Sequence, residues 1–157
     1  LAPFVWLPMQ AGALGAPLAI GSAIAVRGDR ASGLRIAGTG LAAWAAAKAL
    51  KRATARGRPG DHDEATVLRM GSADHGLGFP SGHAAVVATL VGALTESQGG
   101  ALTALGIALA GVVGVSRIYV GAHYPLDVIG GYALGASIAA TYQVVEGLVR
   151  PEGSPTH

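Results

Sequence analysis

An all-α, membrane-integral bundle of about five transmembrane helices, with its polar chemistry gathered at one membrane face, is the fold class this sequence predicts. Three observations predict it. Of the 157 residues 51% are apolar and 13% charged, with a mean hydropathy of +0.47, a balance foreign to a water-soluble globule. The charges interrupt five apolar stretches, 4–26, 31–50, 81–94, 101–115 and 126–149, several of which approach the ~20 residues needed to cross a bilayer. Those stretches are rich in Ala and Gly rather than Leu, the composition of helices that pack closely on one another. The chain reads as one domain over 1–157.

Between the first two stretches, Arg27-Gly-Asp-Arg30 is a tight polar turn joining antiparallel helices. The second helix ends where Lys48, Lys51 and Arg52 gather, and Gly57, Pro59 and Gly60 stop its continuation. Residues 57–80 form the one long non-apolar stretch, and a loop of that length flanked by polar blocks is expected to be functional. Asp61, His62, Asp63, Glu64, Asp74 and His75 lie in it. They read as solvated loop residues, since His62 and His75 lack the spacing of partner ligands on a helix. Pro80-Ser81-Gly82 opens the third helix with Ser81 as its N-cap, and Glu96-Ser97-Gln98-Gly99-Gly100 closes it. Ser116 and Arg117 end the fourth helix. Tyr124-Pro125 opens the fifth, with Pro at an early position where its missing N–H is harmless. Gly131 and Gly135 are a small-xxx-small pair, read as permitting close packing and carrying no prediction of oligomeric state.

In this up-and-down order the end of helix two, the start of three, the end of four and the start of five fall on one membrane face. Lys51–Pro59 (KRATARGRP), Pro80–His83 (PSGH) and Ser116–Asp127 (SRIYVGAHYPLD) therefore converge. Their inventory suits a phosphate. Lys51, Arg58 and Arg117 supply cations, the arginines in bidentate geometry. The N–H groups of Ser81 and Gly82 at a helix start add donors aligned with the helix dipole, and the Ser81 hydroxyl can reach the same anion. His123 and Asp127 stand four residues apart, on one helical face, so that Asp127 can fix the tautomer of His123 and leave its other nitrogen as the nucleophile. His83, from a different helix start, can protonate the leaving alkoxide and later deprotonate water. A Zn or Mn site built from His83, His123 and Asp127 is the competing arrangement, and three neighbouring cations speak against it. Lys48, Arg52 and Arg56 match no motif position and read as interfacial cations.

A net charge of +2 and a pI of 9.3 do not make this a nucleic-acid binder, because the basic residues cluster at the polar blocks without interleaved aromatics. The absence of cysteine removes disulfides and thiolate chemistry.

The motifs Lys-x6-Arg-Pro, Pro-Ser-Gly-His and Ser-Arg-x5-His-x3-Asp, present without a mismatch, resemble the signatures of the type 2 phosphatidic acid phosphatase (PAP2) superfamily, which also includes vanadium haloperoxidases. That resemblance implies a membrane lipid phosphatase without cofactor or metal, working through a phosphohistidine on His123 with His83 as acid and base. Phosphatidic acid, phosphatidylglycerol phosphate and polyprenyl phosphates or diphosphates are the substrates it implies, with membrane lipids as the surroundings. A vanadate-dependent haloperoxidase is disfavoured by the five apolar stretches, and a non-catalytic lipid-phosphate-binding module by the completeness of the motifs. Outside the motifs, Lys48, Arg52, Arg56 and Arg69 on the site face balance Arg27, Arg30, Arg35 and Arg150 opposite, so charge bias sets no orientation. The resemblance implies a bacterial plasma membrane with the site on the extracytoplasmic side. Membrane members of the family commonly carry six spans, and Leu1 is not an initiator Met. The expectation is a piece of a longer chain whose first helix precedes Leu1.

Overall fold

The computed structural model describes residues 2–62, 65–72, 76–95 and 100–149. Asp63, Glu64, Asp74, His75, the expected turn at 96–99 and Arg150 lie outside them. Helices α1 (Ala2–Met9), α2 (Gly15–Val26), α3 (Arg30–Thr54), α4 (Pro59–His62), α5 (Gly82–Thr95), α6 (Gly100–Tyr119) and α7 (Pro125–Val149) follow in order, with a 3-10 turn at Gln10–Gly12. Among the described residues the one extended pairing is an isolated antiparallel bridge between Gly57 and Leu77.

Most element boundaries follow from local chemistry. Gly28, at φ +112°, makes the turn after α2, and the Asp29 carboxylate then caps α3 by accepting from the Ser32 N–H at 3.0 Å. Helix α3 stops at Ala55, whose left-handed φ of 48° turns the chain before Arg56. Ser81 precedes α5, its hydroxyl 3.5 Å from the Ala84 N–H. Pro125 is the first residue of α7.

One boundary departs from expectation. The stretch 4–26, read as a single helix, is broken into α1 and α2, which meet at a bend of 67°. Close approach explains the break. A Cβ on Gly12 would stand 2.6 Å from the His83 carbonyl oxygen, so the chain is pressed against the start of α5 where a straight helix would pass it by.

Helices α6 and α7 are each long and apolar enough to cross a membrane, and residues 6–26 of α1 and α2 together have the length and apolarity of a broken span or a re-entrant loop. Their outer faces carry Leu105 at 66% and Ile129 at 61% exposure, apolar surface that only lipid can cover. The protein is an integral membrane protein. Helix α3 is long, with 25 residues, but bears cations near both ends. Helix α5 has 14 residues, about 21 Å of rise. It occupies the centre, packed on α3, α6 and α7, and its buried residues run all around it.

The seam between α5 and α7 is made of small side chains. Asp127, Gly131, Gly135 and Ala139 recur every four residues and are all buried. Gly131 lies against the Ser81 carbonyl and Ala84, Gly135 against the Ala85 carbonyl and Ala88, and a Cβ on Gly92 would stand 2.7 Å from that of Ala139. The Thr89 hydroxyl sits 3.0 Å from both the Ala85 and Gly135 carbonyl oxygens. The small-xxx-small pair thus serves packing within one chain, and it sets α7 in register with the helix that carries His83.

Candidate active site

The end of α3, the start of α5, the end of α6 and the start of α7 meet at one end of the bundle around a cavity of about 600 Å³. Lys51, Arg58, Gly82, His83, Arg117 and His123 all line it. Six of the eight expected site residues therefore share one wall. The other two, Ser81 and Asp127, are fully enclosed behind it.

Asp127 is held by its own helix start. Its Oδ2 accepts the Tyr124 N–H at 2.9 Å, the reach-back of a residue three positions into a helix. The same oxygen stands 3.6 Å from His123 Nδ1, slightly beyond hydrogen-bond length, a spacing common at catalytic pairs without substrate. This contact occupies the Nδ1 side of the ring and leaves Nε2 as its free nitrogen. Burial, reinforced by Lys51, Arg117 and Arg58 and opposed by the Asp127 carboxylate, holds the His123 imidazole down at about 4. The ring is neutral, and therefore nucleophilic, at ordinary pH.

The three expected phosphate cations are braced by main-chain carbonyls. Lys51 Nζ donates to Leu77 O at 2.8 Å and Gly78 O at 3.0 Å, Arg117 Nη1 to Gly71 O at 2.7 Å, and Arg58 Nη1 to Ala122 O at 3.2 Å. The loop 57–80 thus acts as a scaffold that turns carbonyls onto the cations. Arg69 pins it, donating to Tyr119 O at 2.7 Å and lying 4.5 Å from the Tyr119 ring centroid. Arg58 Nε and Arg117 Nε are buried with no hydrogen-bond partner among the described residues. Two desolvated guanidinium donors beside Lys51 form a site that is complete only with an anion. Within the loop, Asp61 Oδ2 accepts the Arg58 N–H at 2.9 Å, while Asp61 and His62 are exposed, as expected of solvated residues.

Some details differ from the expected roles. The Ser81 N–H donates to the Asp127 carbonyl at 2.8 Å and the Ser81 hydroxyl faces Ala84, so Ser81 serves the helix start and Gly82 is the member of that pair on the cavity wall. Arg117 bonds the loop and not Asp127; the cation paired with Asp127 is Arg56, its Nη1 3.1 Å from Oδ1. Lys48 and Arg52, one helical turn apart on α3, line the cavity together with Trp44, over whose ring Lys48 Nζ lies at 4.2 Å. Gly12, Ala13 and Leu14, at the break in the first span, line it from the other side, and Met9 Sδ lies 3.5 Å from Arg117 Nη1. Gly12 and Gly15, flanked by Pro8 and Pro17, are the hints of that break in the sequence. Main-chain carbonyls and the reach of Arg56 have no sequence signature.

A family model described as the PAP2 superfamily matches residues 33–150. The decaprenylphosphoryl-5-phosphoribose phosphatase of Mycobacterium tuberculosis is 38% identical over 131 residues, covering 83% of this chain and 70% of that protein. An undecaprenyl-diphosphatase of Sulfolobus acidocaldarius is 46% identical over 61 residues, 39% of this chain and 30% of its own length. The lipid A 1-phosphatase of Rhizobium johnstonii is 40% identical over 93 residues, 57% of this chain and 38% of its own. The chain thus spans less than two thirds of two of these three relatives. The crystal structure of a transmembrane PAP2 type phosphatidylglycerolphosphate phosphatase from Bacillus subtilis superposes with a TM-score of 0.78, covering 96% of this chain and 79% of that one. At 20% identity that likeness is one of fold.

Proposed function

The chain belongs to the PAP2 superfamily, and on that premise we propose that it is a membrane phosphatase that removes a terminal phosphate from a lipid phosphate or diphosphate through a phosphohistidine. The observation that carries this reading is the gathering of Lys51, Arg58 and Arg117 on one cavity wall with His123, the two guanidinium Nε atoms buried without a hydrogen-bond partner among the described residues.

The substrate phosphate is held by Lys51, Arg58, Arg117 and the Gly82 N–H, which also meet the charge spread over the equatorial oxygens in the transition state. His123 Nε2 attacks phosphorus as the bond to the leaving oxygen breaks, and Asp127 keeps the proton on Nδ1. Burial and the surrounding cations disfavour a charge on His83, so it takes up its proton together with the bound phosphate, whose negative charge offsets them, and gives that proton to the leaving oxygen. In the second half His83 takes a proton from water, whose oxygen attacks phosphorus while the N–P bond breaks, releasing inorganic phosphate and restoring both rings. The lipid tail stays among the apolar helices. The relatives named for decaprenyl- and undecaprenyl-linked phosphates make polyprenyl carriers the first substrates to try. The site faces the extracytoplasmic side of a bacterial plasma membrane, a reading that rests on family likeness.

Phosphate release from polyprenyl phosphate, polyprenyl diphosphate, phosphatidic acid and phosphatidylglycerol phosphate tests this directly. At least one is expected to turn over well above His123→Ala, with the rate unchanged in EDTA. Release from none of them would sink the reading, and activity lost in EDTA but restored by a divalent metal would overturn the phosphohistidine.

The pH profile carries its own prediction. Attack needs the neutral ring, so kcat/KM falls as pH drops through about 4, where His123 takes a proton, and not through the ordinary 6.5. Profiles from about pH 3 to about pH 8, measured on two substrates with different second phosphate ionisations, separate the substrate's titration from the enzyme's. A substrate-independent acid limb near 6.5 would contradict the assignment.

A further inference from the structure

We propose that Arg56, at a position that none of the three motifs specifies, is a positioning residue that holds the Asp127 carboxylate and, through it, sets the proton affinity and aim of His123. The inference rests on the phosphohistidine reading above.

A fully enclosed carboxylate is costly unless balanced, and the two oxygens of Asp127 divide that task. Oδ2 takes the Tyr124 N–H and faces His123. Oδ1 has Arg56 Nη1 at 3.1 Å, an ion pair without aligned hydrogen-bond geometry. Arg56 is itself fixed. The left-handed turn at Ala55 swings it back from α3, its carbonyl accepts the Gly78 N–H at 2.7 Å, and its guanidinium lies 5.1 Å from the Tyr124 ring centroid. It therefore grips Asp127 and the residue that opens α7 together.

Its place also separates it from the phosphate-binding cations. Lys51 from α3, Arg58 from the following loop, His83 from α5 and Arg117 from α6 face His123 from the cavity side, whereas Arg56 is not on the cavity wall. It meets the carboxylate from behind. The Asp127 charge favours a proton on His123, and Arg56 offsets part of that charge. Losing the guanidinium leaves Asp127 more strongly negative toward the ring, which raises the proton affinity of His123 and loosens the direction of Nε2.

The test uses the full chain in detergent micelles, comparing wild type, Arg56→Gln and Arg56→Lys. His123 is titrated by NMR of histidine-labelled protein, and kinetics are followed on dihexanoyl phosphatidic acid. Arg56→Gln is expected to raise the His123 midpoint by about one unit, to lower kcat about 10- to 100-fold and to leave KM unmoved; Arg56→Lys keeps the wild-type midpoint and most of kcat. An unchanged midpoint in folded Arg56→Gln, or Lys performing no better than Gln, overturns the proposal. So does a raised KM with kcat intact, which would make Arg56 a phosphate ligand. If Arg56→Gln does not fold, the double variant with Asp127→Asn removes both charges and is expected to fold, and its failure would reduce Arg56 to a scaffold. The NMR titration needs no turnover, so a wild type inactive on every phosphate would refute the catalytic reading and still leave this inference decided.

Discussion

His123→Ala is expected to reduce phosphate release by on the order of 10⁴- to 10⁶-fold, to the background of the membrane preparation, because among the described residues on the cavity wall His123 is the one whose ring a buried carboxylate orients. The neighbouring groups include cations braced on carbonyls, a glycine N–H, the Ser72 hydroxyl, and His83 on another helix, which is needed as acid and base. The substitution removes a ring that is 3% exposed but borders a cavity, so the fold is expected to survive. Thermal unfolding of the purified variant checks that. Quenching the wild type with ³²P-labelled substrate should trap an acid-labile, base-stable label that is absent from His123→Ala and that accumulates in His83→Ala if water activation is slowed more than leaving-group departure. Turnover by His123→Ala within tenfold of wild type, or a label that survives in it, would remove the residue from the chemistry.

The second large effect is expected from residues with no chemistry of their own. Gly131 and Gly135 are pressed against α5 carbonyl oxygens, so a side chain at either position forces α7 away from α5. Overpacking of this kind costs about 1–3 kcal/mol. For Gly135→Leu an apparent Tm lower by roughly 2–12 °C follows for a chain of this size. Gly147 lies in the same helix with nothing within 4 Å of an added Cβ, so Gly147→Ala is the matched control and should be neutral or slightly stabilising. Activity should fall more than stability does. Asp127 is on the same stripe as both glycines, and a shift of α7 by even a fraction of an ångström changes the separation of His123 from His83. Equal stability of Gly135→Leu and Gly147→Ala would show that the seam is not the constraint described here.

The parts of the site that were legible in the sequence are those where residue type and spacing carry the meaning. Alternating helices bring Lys51, His83, Arg117 and His123 to one end whatever their detailed packing, and Asp29, Ser81 and Pro125 mark helix starts by chemistry that acts over three or four residues. Arg56 was hidden because its partner lies 71 positions away and the turn at Ala55, which aims it, uses a left-handed conformation that alanine does not advertise. The carbonyls of Gly71, Leu77 and Gly78 were hidden for a plainer reason, since every residue has one. The break before Gly15 depends on how closely α5 approaches, which is a tertiary fact. Ser81 promises more than it delivers to the cavity wall: its N–H ties α5 to the Asp127 carbonyl, and its hydroxyl accepts from the Ala84 N–H in the first turn of α5.

The family match begins at residue 33, yet Gly12, Ala13 and Leu14 close one side of the cavity and Met9 touches Arg117. The reacting groups and part of the wall around them therefore lie in different stretches of the chain. Substitutions at Ala13 and Leu14 can reshape what enters the cavity, whereas Gly12 and Met9 press on His83 and Arg117 themselves. Exchanging Ala13 and Leu14 alone is therefore expected to change selectivity while leaving the contacts on His83 and Arg117 in place.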